Sequence, residues 1–321
     1  MAKIFYPLYH GGKLDVQTIA VLKQISKANG APLTSLTPEQ ARKDFLEKSW
    51  LGTPLKNVKS KNLIIEDSGN KVPIRIYTPE GKPPFPILIF FHGGGFVLGN
   101  LDEFDALCTF LANGASCVVV SVDYRLAPEY KHPAAVEDAL TAVNWIAKNA
   151  GEIGGDETKV AVAGDSAGAN LAVISSMLAR DKSFPALIYQ VLICPWLDLS
   201  STNTDSYKYF GDGLWLSKAN IYWYRNHYLE NEDQAKSYLV SPMLAEKLNG
   251  LPPTLIIAAE YDVLRDEGKI FADRLSAKGI QVQYNCYNGM LHDFVTVPGL
   301  FDKAKDAINE ICCALKKVFY D

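Results

Sequence analysis

The chain changes texture near residue 62. Before it, apolar residues recur at helical spacing. After it, they come in short runs separated by helical stretches. Between Asp15 and Asn29, Val16, Ile19, Ala20, Leu22 and Ile25 form one helical stripe, and Gly30 follows as a stop. Thr37-Pro38-Glu39-Gln40 predicts a second helix, with threonine as N-cap, proline at the first helical position and glutamine at the capping-box position. That helix is expected to reach Leu51, ahead of Gly52 and Pro54.

Leu63-Ile64-Ile65 and the alternating Val72-x-Ile74-x-Ile76-Tyr77 flank Ser68-Gly69-Asn70 and predict a hairpin. Continuous apolar runs follow at Ile87 to Phe91, Cys117 to Val122, Val160 to Ala163, Ile188 to Cys194, Thr254 to Ala259 and Ile280 to Tyr287. Runs without alternation are buried on both faces. Helical segments alternate with them, at Ala134 to Asn149 (started by Pro133), after Ser166, at Leu264 to Lys278 and at Asp302 to Phe319. Strand-helix alternation of this kind predicts an α/β fold: a mostly parallel central sheet flanked by helices, with the hairpin as its antiparallel edge.

Two regions stand outside that rhythm. Residues 1–55 carry no strand signal. Residues 197–250 carry none either, but hold Tyr207, Tyr209, Phe210, Trp215, Tyr222, Trp223, Tyr224 and Tyr228. Such aromatics serve the core of a helical insertion and the apolar wall of a pocket at once. The expected organisation is a catalytic core from 56–196 and 251–321, under a helical cap built from 1–55 and 197–250.

Composition narrows the function classes. The net charge is −4 and no basic block occurs, so nucleic acid has no electrostatic footprint here. Apolar runs such as Ile87 to Phe91 are far too short to span a bilayer. Pro7, His10, Gly11 and Gly12 interrupt any secretory apolar stretch near Met1. The six cysteines, Cys108, Cys117, Cys194, Cys286, Cys312 and Cys313, show no Cys-x-x-Cys spacing. They read as buried apolar residues of a reducing compartment, which predicts a cytoplasmic protein without a metal site. Gly93-x-Gly95-x-x-Leu98 is one glycine short of a dinucleotide fingerprint, so no nucleotide cofactor is expected.

The chemistry centres on Gly164-Asp165-Ser166-Ala167-Gly168, set between the Val160 run and a small-residue helix. A Gly-x-Ser-x-Gly turn between strand and helix lifts a serine hydroxyl above the sheet, and the helix points its N-terminal amides at the same spot. Serine is a poor nucleophile at neutral pH and needs a base with its own orienting partner. Of the two later histidines, His227 falls in the aromatic insertion. His292 follows the last strand, in a loop at the end of the sheet where such sites sit. Glu260, Asp262, Asp266 and Glu267 compete as its partner. Asp262, at the turn after the strand, is the choice. The amide of Ala167 and a glycine loop, His92-Gly93-Gly94-Gly95-Phe96, are placed to bind an oxyanion. His92 reads as a residue that fixes this loop.

These motifs, with Tyr124-Arg125-Leu126-Ala127-Pro128-Glu129 and Asp262-Val263-Leu264-Arg265-Asp266-Glu267-Gly268, closely resemble the hormone-sensitive-lipase-like (family IV) carboxylesterases of the α/β-hydrolase fold, over almost the whole chain. The Gly-Asp-Ser-Ala-Gly form resembles the larger subgroup, in which Asp165 is read as structural. Val263 stands where that family commonly has proline. The resemblance implies Ser166, Asp262 and His292 as a triad and Gly94, Gly95 and Ala167 as the oxyanion hole, with Gly93 able to share the task. It implies short- to medium-chain acyl esters as substrates, no cofactor, and dimers in many members. An amidase or deacetylase on the same triad is the nearest alternative. A hydrolase-like small-molecule receptor is the more distant one, and such receptors have lost the histidine that stands here at 292.

Overall fold

The computed structural model describes residues 11–28, 30–47, 52–182, 186–212 and 214–321. Two helices come first, α1 (Val16–Ala28) and α2 (Pro38–Glu47). The predicted capping box is formed: the Gln40 amide donates to Thr37 Oγ1 at 3.2 Å, and the Thr37 amide donates to Gln40 Oε1 at 3.0 Å. The expected ends of the two helices, Asn29 and residues 48–51, lie outside the described residues.

Among the described residues eight strands form one sheet, in the order β1-β2-β4-β3-β5-β6-β7-β8. They are β1 (Lys59–Asp67), β2 (Asn70–Thr78), β3 (Phe85–Phe91), β4 (Val118–Val122), β5 (Gly155–Asp165), β6 (Leu187–Ile193), β7 (Thr254–Tyr261) and β8 (Val282–Leu291). The hairpin β1–β2 is antiparallel and joins β4 antiparallel; from β4 to β8 every pairing is parallel. The mostly parallel α/β sheet with an antiparallel edge is therefore present as the sequence predicts. Several boundaries differ: β1 begins at Lys59 and β5 at Gly155, each ahead of its apolar run, and one difference bears on the site. The stretch 289–291, expected as loop, continues β8, because pairing resumes between Tyr261 and Leu291 after a register shift. His292 thus stands in the turn directly after β8.

The remaining helices are α3 (Asp105–Ala115), α4 (Ala134–Asn149), α5 (Ala167–Asp181), α6 (Asp205–Phe210), α7 (Lys218–Tyr228), α8 (Arg265–Ser276) and α9 (Asp302–Tyr320). All of β3 is buried, and its side chains alternate between two cores. Ile87, Ile89 and Phe91 join the core that holds Val143 of α4, Leu171 of α5 and Phe271 of α8. Leu88 and Phe90 join the core that holds Leu107 and Leu111 of α3 and Ile311 and Leu315 of α9. Burial on both faces explains the unbroken apolar runs. Each such side chain contributes roughly 1.5–3 kcal/mol.

Between β6 and β7 the described residues form α6, α7 and short 3-10 turns, without a strand. Tyr207, Phe210, Trp223 and Tyr228 are buried there and pack on the α4–α5–α8 core. Trp223 Nε1 donates to Leu36 O at 3.3 Å, which links this segment to the one before the sheet.

Candidate active site

Five loops converge at the C-terminal ends of the parallel strands. Ser166 follows β5 directly and precedes α5, in a strained conformation (φ 53°, ψ −114°). The elbow needs its glycines for space. A Cβ on Gly164 would stand 2.2 Å from Gly168 C and O, and one on Gly168 would stand 2.0 Å from Phe91 O. The Ser166 amide donates to Ile193 O at 2.8 Å, which fixes the turn to the end of β6.

His292 is brought to this serine across the sheet. Its Nε2 lies 3.0 Å from Ser166 Oγ, and its Nδ1 lies 2.7 Å from Asp262 Oδ2. The other oxygen of Asp262 accepts from the Leu264 amide at 2.9 Å, so the carboxylate is held from both sides. All three side chains are buried. Burial works against an imidazolium here, but the carboxylates of Asp262 and Asp293 outweigh it and hold the His292 pKa well above the ordinary histidine value.

The other three candidate carboxylates have different partners. Glu260 accepts from the Gly12 amide at 2.7 Å and the Gly289 amide at 2.6 Å. Asp266 accepts from the Ser206 amide at 2.8 Å. Glu267 accepts from the Leu197 and Asp198 amides at 2.8 and 2.9 Å. The last two tie the β6–β7 segment to α8 rather than merely sitting at a helix N-terminus. His227 contacts Trp223 O at 2.8 Å, within α7.

The glycine loop follows β3. Gly94 and Gly95 adopt φ of 114° and 61°. A Cβ on Gly94 would meet Leu98 O at 2.2 Å, and one on Gly95 would meet the Tyr224 ring at 2.3 Å. Ala167 is the first residue of α5, where amides have no acceptor within their own helix. His92 props the loop from beneath. Its ring stacks on Tyr124 at 4.2 Å, its Nδ1 lies 2.8 Å from Gly93 O, and the Tyr124 hydroxyl donates to His92 O at 2.8 Å. Burial pushes the His92 pKa down to about 4, so it stays neutral. The Ala127 amide donates to Phe96 O at 2.9 Å, so the Tyr124–Glu129 motif supports this loop too.

Cys194, at the end of β6, brings its thiol within 4.8 Å of ligand atoms on Asp262 and His292. Burial pushes that thiol up to about 12, and His292 already holds Asp262 through Nδ1. A metal needs a thiolate and a free imidazole nitrogen, so this set does not fit one.

Sequence reasoning overlooked two neighbours of the site, Asp293 and Arg42, and placed a third, Tyr224, only among the aromatics of a pocket wall. Asp293 places Oδ1 2.9 Å from His292 Nε2. Tyr224 lies over Gly95, and Arg42 bonds to the backbone following the glycine loop. The available signal was weak: Asp293 takes φ 59°, a conformation aspartate tolerates better than most residues.

No described helix is long and apolar enough to cross a membrane. The profile of a family with the alpha/beta hydrolase fold matches residues 88–296. The chain is 40 % identical over 269 residues to the carboxylic ester hydrolase LipN of Mycobacterium tuberculosis, covering 82 % of this chain and 71 % of that one. It is 36 % identical over 291 residues to an arylesterase of Saccharolobus solfataricus, covering 89 % and 93 %. Among solved structures, a hyperthermophilic esterase of Pyrobaculum calidifontis superposes with a TM-score of 0.91 at 36 % identity, covering 95 % and 98 %. A thermostable esterase of Pseudomonas putida superposes with a TM-score of 0.93 at 34 % identity, covering 98 % and 100 %. With the nucleophile-elbow fold and these relatives matched over most of its length, the chain belongs to the α/β-hydrolase family.

Proposed function

We propose that Ser166, His292 and Asp262 are the catalytic triad of a serine carboxylesterase acting on short- to medium-chain acyl esters. The chain is a hydrolase of carboxylic esters, as its relatives are named. One observation carries the assignment of residues: the buried line from Ser166 Oγ to His292 Nε2 at 3.0 Å and from His292 Nδ1 to Asp262 at 2.7 Å. His292 takes the Ser166 proton as Oγ attacks the ester carbonyl, and Asp262 orients the imidazole and stabilises its cation. The amides of Gly94, Gly95 and Ala167 take the oxyanion, each such donor typically worth about 3 kcal/mol. The protonated His292 then gives its proton to the departing alcohol. Water activated by the neutral imidazole releases the acid from Ser166 and completes the cycle.

Residues 1–55 and 197–250 form the cap in this reading, over a core of 56–196 and 251–321. Trp223 joining Leu36 and Tyr224 lying over Gly95 support it. A cap that brings a tyrosine ring against the oxyanion loop favours small acyl groups. The Gly-Asp-Ser-Ala-Gly sequence around Ser166 supports membership of that subgroup. The six free cysteines support a cytoplasmic setting. A homodimer is the expected assembly, since β8 ends the strand order and leaves an edge.

Hydrolysis of p-nitrophenyl esters from acetate to palmitate tests this, with Ser166→Ala as control. Serine-dependent turnover peaking at short chains is expected. Turnover that survives Ser166→Ala in a folded protein would refute the triad.

A further inference from the structure

The base has two carboxylates, one on each ring nitrogen. Asp262 holds Nδ1 at 2.7 Å. Asp293 Oδ1 lies at ion-pair distance, 2.9 Å, from Nε2, the nitrogen that also faces Ser166 Oγ at 3.0 Å, and makes no hydrogen bond in this geometry. The left-handed conformation of Asp293 turns its side chain back onto its own neighbour. Behind it stands Asp165, which is 1 % exposed, and neither of its carboxyl oxygens has a hydrogen-bond donor among the described residues. An ionised carboxylate left so would be very costly.

We propose that Asp293 is a positioning residue for the catalytic base: its carboxylate pairs with the charge of the His292 imidazolium on the Nε2 side and sets the pH at which His292 becomes available to Ser166. This rests on the triad assigned above. The Nε2 proton arrives from Ser166 Oγ and leaves to the departing alcohol; while it is on nitrogen it faces Asp293 as well as those oxygens, and no proton passes to Asp293. Asp165 completes the arrangement as a neutral acid whose O–H donates to Asp293. Burial first, and the Asp293 charge second, raise its pKa well above the usual carboxylate range. A neutral Asp165 also lowers the cost of its two oxygens lacking donors, because no charge is then buried without a partner.

The groups facing His292 come from every strand end around it. They are Asp262 after β7, Asp165 as the last residue of β5 and Ser166 after it, Cys194 after β6, and Tyr224 from α7 above. Cys194 and Tyr224 are both pushed upward by burial and stay neutral. The charge balance at the imidazole therefore falls to Asp262 and Asp293.

The test is the pH profile of kcat/KM for p-nitrophenyl butyrate in wild type, Asp293→Asn, Asp165→Asn and Ser166→Ala. Removing one carboxylate from contact distance should move the acidic midpoint down by about one pH unit in Asp293→Asn. Asp165→Asn keeps a neutral donor, and its midpoint should match wild type. A folded, active Asp293→Asn with an unmoved midpoint overturns the proposal. A midpoint that drops in Asp165→Asn overturns the neutral acid. Should Asp293→Asn not fold, the downfield imidazole proton resonances of Ser166→Ala are compared with those of Ser166→Ala/Asp293→Ser. A lower titration midpoint in the double variant is expected, and equal midpoints overturn the proposal. A Ser166→Ala protein as active as wild type would instead refute the triad itself, so the two failures are distinct.

Discussion

The guanidinium of Arg42, on α2, donates through Nε to the main-chain carbonyl of Val97 at 2.8 Å. Val97 lies in the segment that follows Gly94 and Gly95. The same guanidinium donates to Ala127 O at 2.7 Å and makes a paired contact with Glu129 at 2.9 and 2.7 Å. One side chain thus ties the N-terminal segment both to the glycine loop and to the motif that props it.

Arg42→Met should lower kcat more than it changes KM, by roughly tenfold, if the loop amides lose their alignment. Arg42→Lys should not restore the rate, since an ammonium cannot form the planar fork. The ion pair with Glu129 is partly exposed, so the stability cost stays near about 1 kcal/mol after screening. Steady-state kinetics and thermal denaturation check this; an unchanged kcat would show that the loop holds itself.

Ser166→Ala and His292→Ala should each cut kcat by on the order of 10⁴-fold or more, and the double variant little further, because the residues act as one unit. Asp262→Asn should cost about 10⁴-fold by favouring the wrong tautomer. Circular dichroism should show all of them folded. Additive losses in the double variant would contradict the shared mechanism.

Only the neutral imidazole accepts the serine proton, and the His292 pKa is held above its ordinary value. Activity should therefore rise with pH through a midpoint above about 6.5. The linked stability has the opposite sense: the folded protein binds this proton more tightly than the unfolded chain. That contribution is present below about 6.5 and is lost as pH rises through the folded value. A kinetic midpoint below 6 would contradict the two-carboxylate environment.

Gly168→Ala should lower the melting temperature sharply and abolish activity. The added Cβ would meet the backbone oxygen of Phe91 at 2.0 Å, and neither β3 nor α5 can yield. Gly69→Ala, with open space around it but φ 84°, should cost only about 1 kcal/mol. Equal losses in the two variants would mean that the elbow relaxes.

The elbow was legible because its requirements are local: an apolar strand, a serine between glycines, and a small-residue helix are contiguous. The capping box at Thr37 and the hairpin turn at Ser68-Gly69 were legible for the same reason. Among Glu260, Asp262, Asp266 and Glu267 the pattern left a choice, since four carboxylates follow one strand. The register shift near the end of β7 bears on that choice and carries β8 on to Leu291.

The sequence by itself determined the succession of strands and helices along the sheet, and the order in which Ser166, Asp262 and His292 stand along the chain. Side-chain periodicity and turn chemistry act over a few residues and need no fold. Only the tertiary structure decided which side chains meet. Ser166 and His292 are 126 residues apart, and Arg42 and Val97 are 55. Those distances close only when the sheet places five strand ends side by side. The second carboxylate on His292 arises in the same way, from a backbone turn at Asp293 that carries its side chain back over the imidazole beside a buried Asp165.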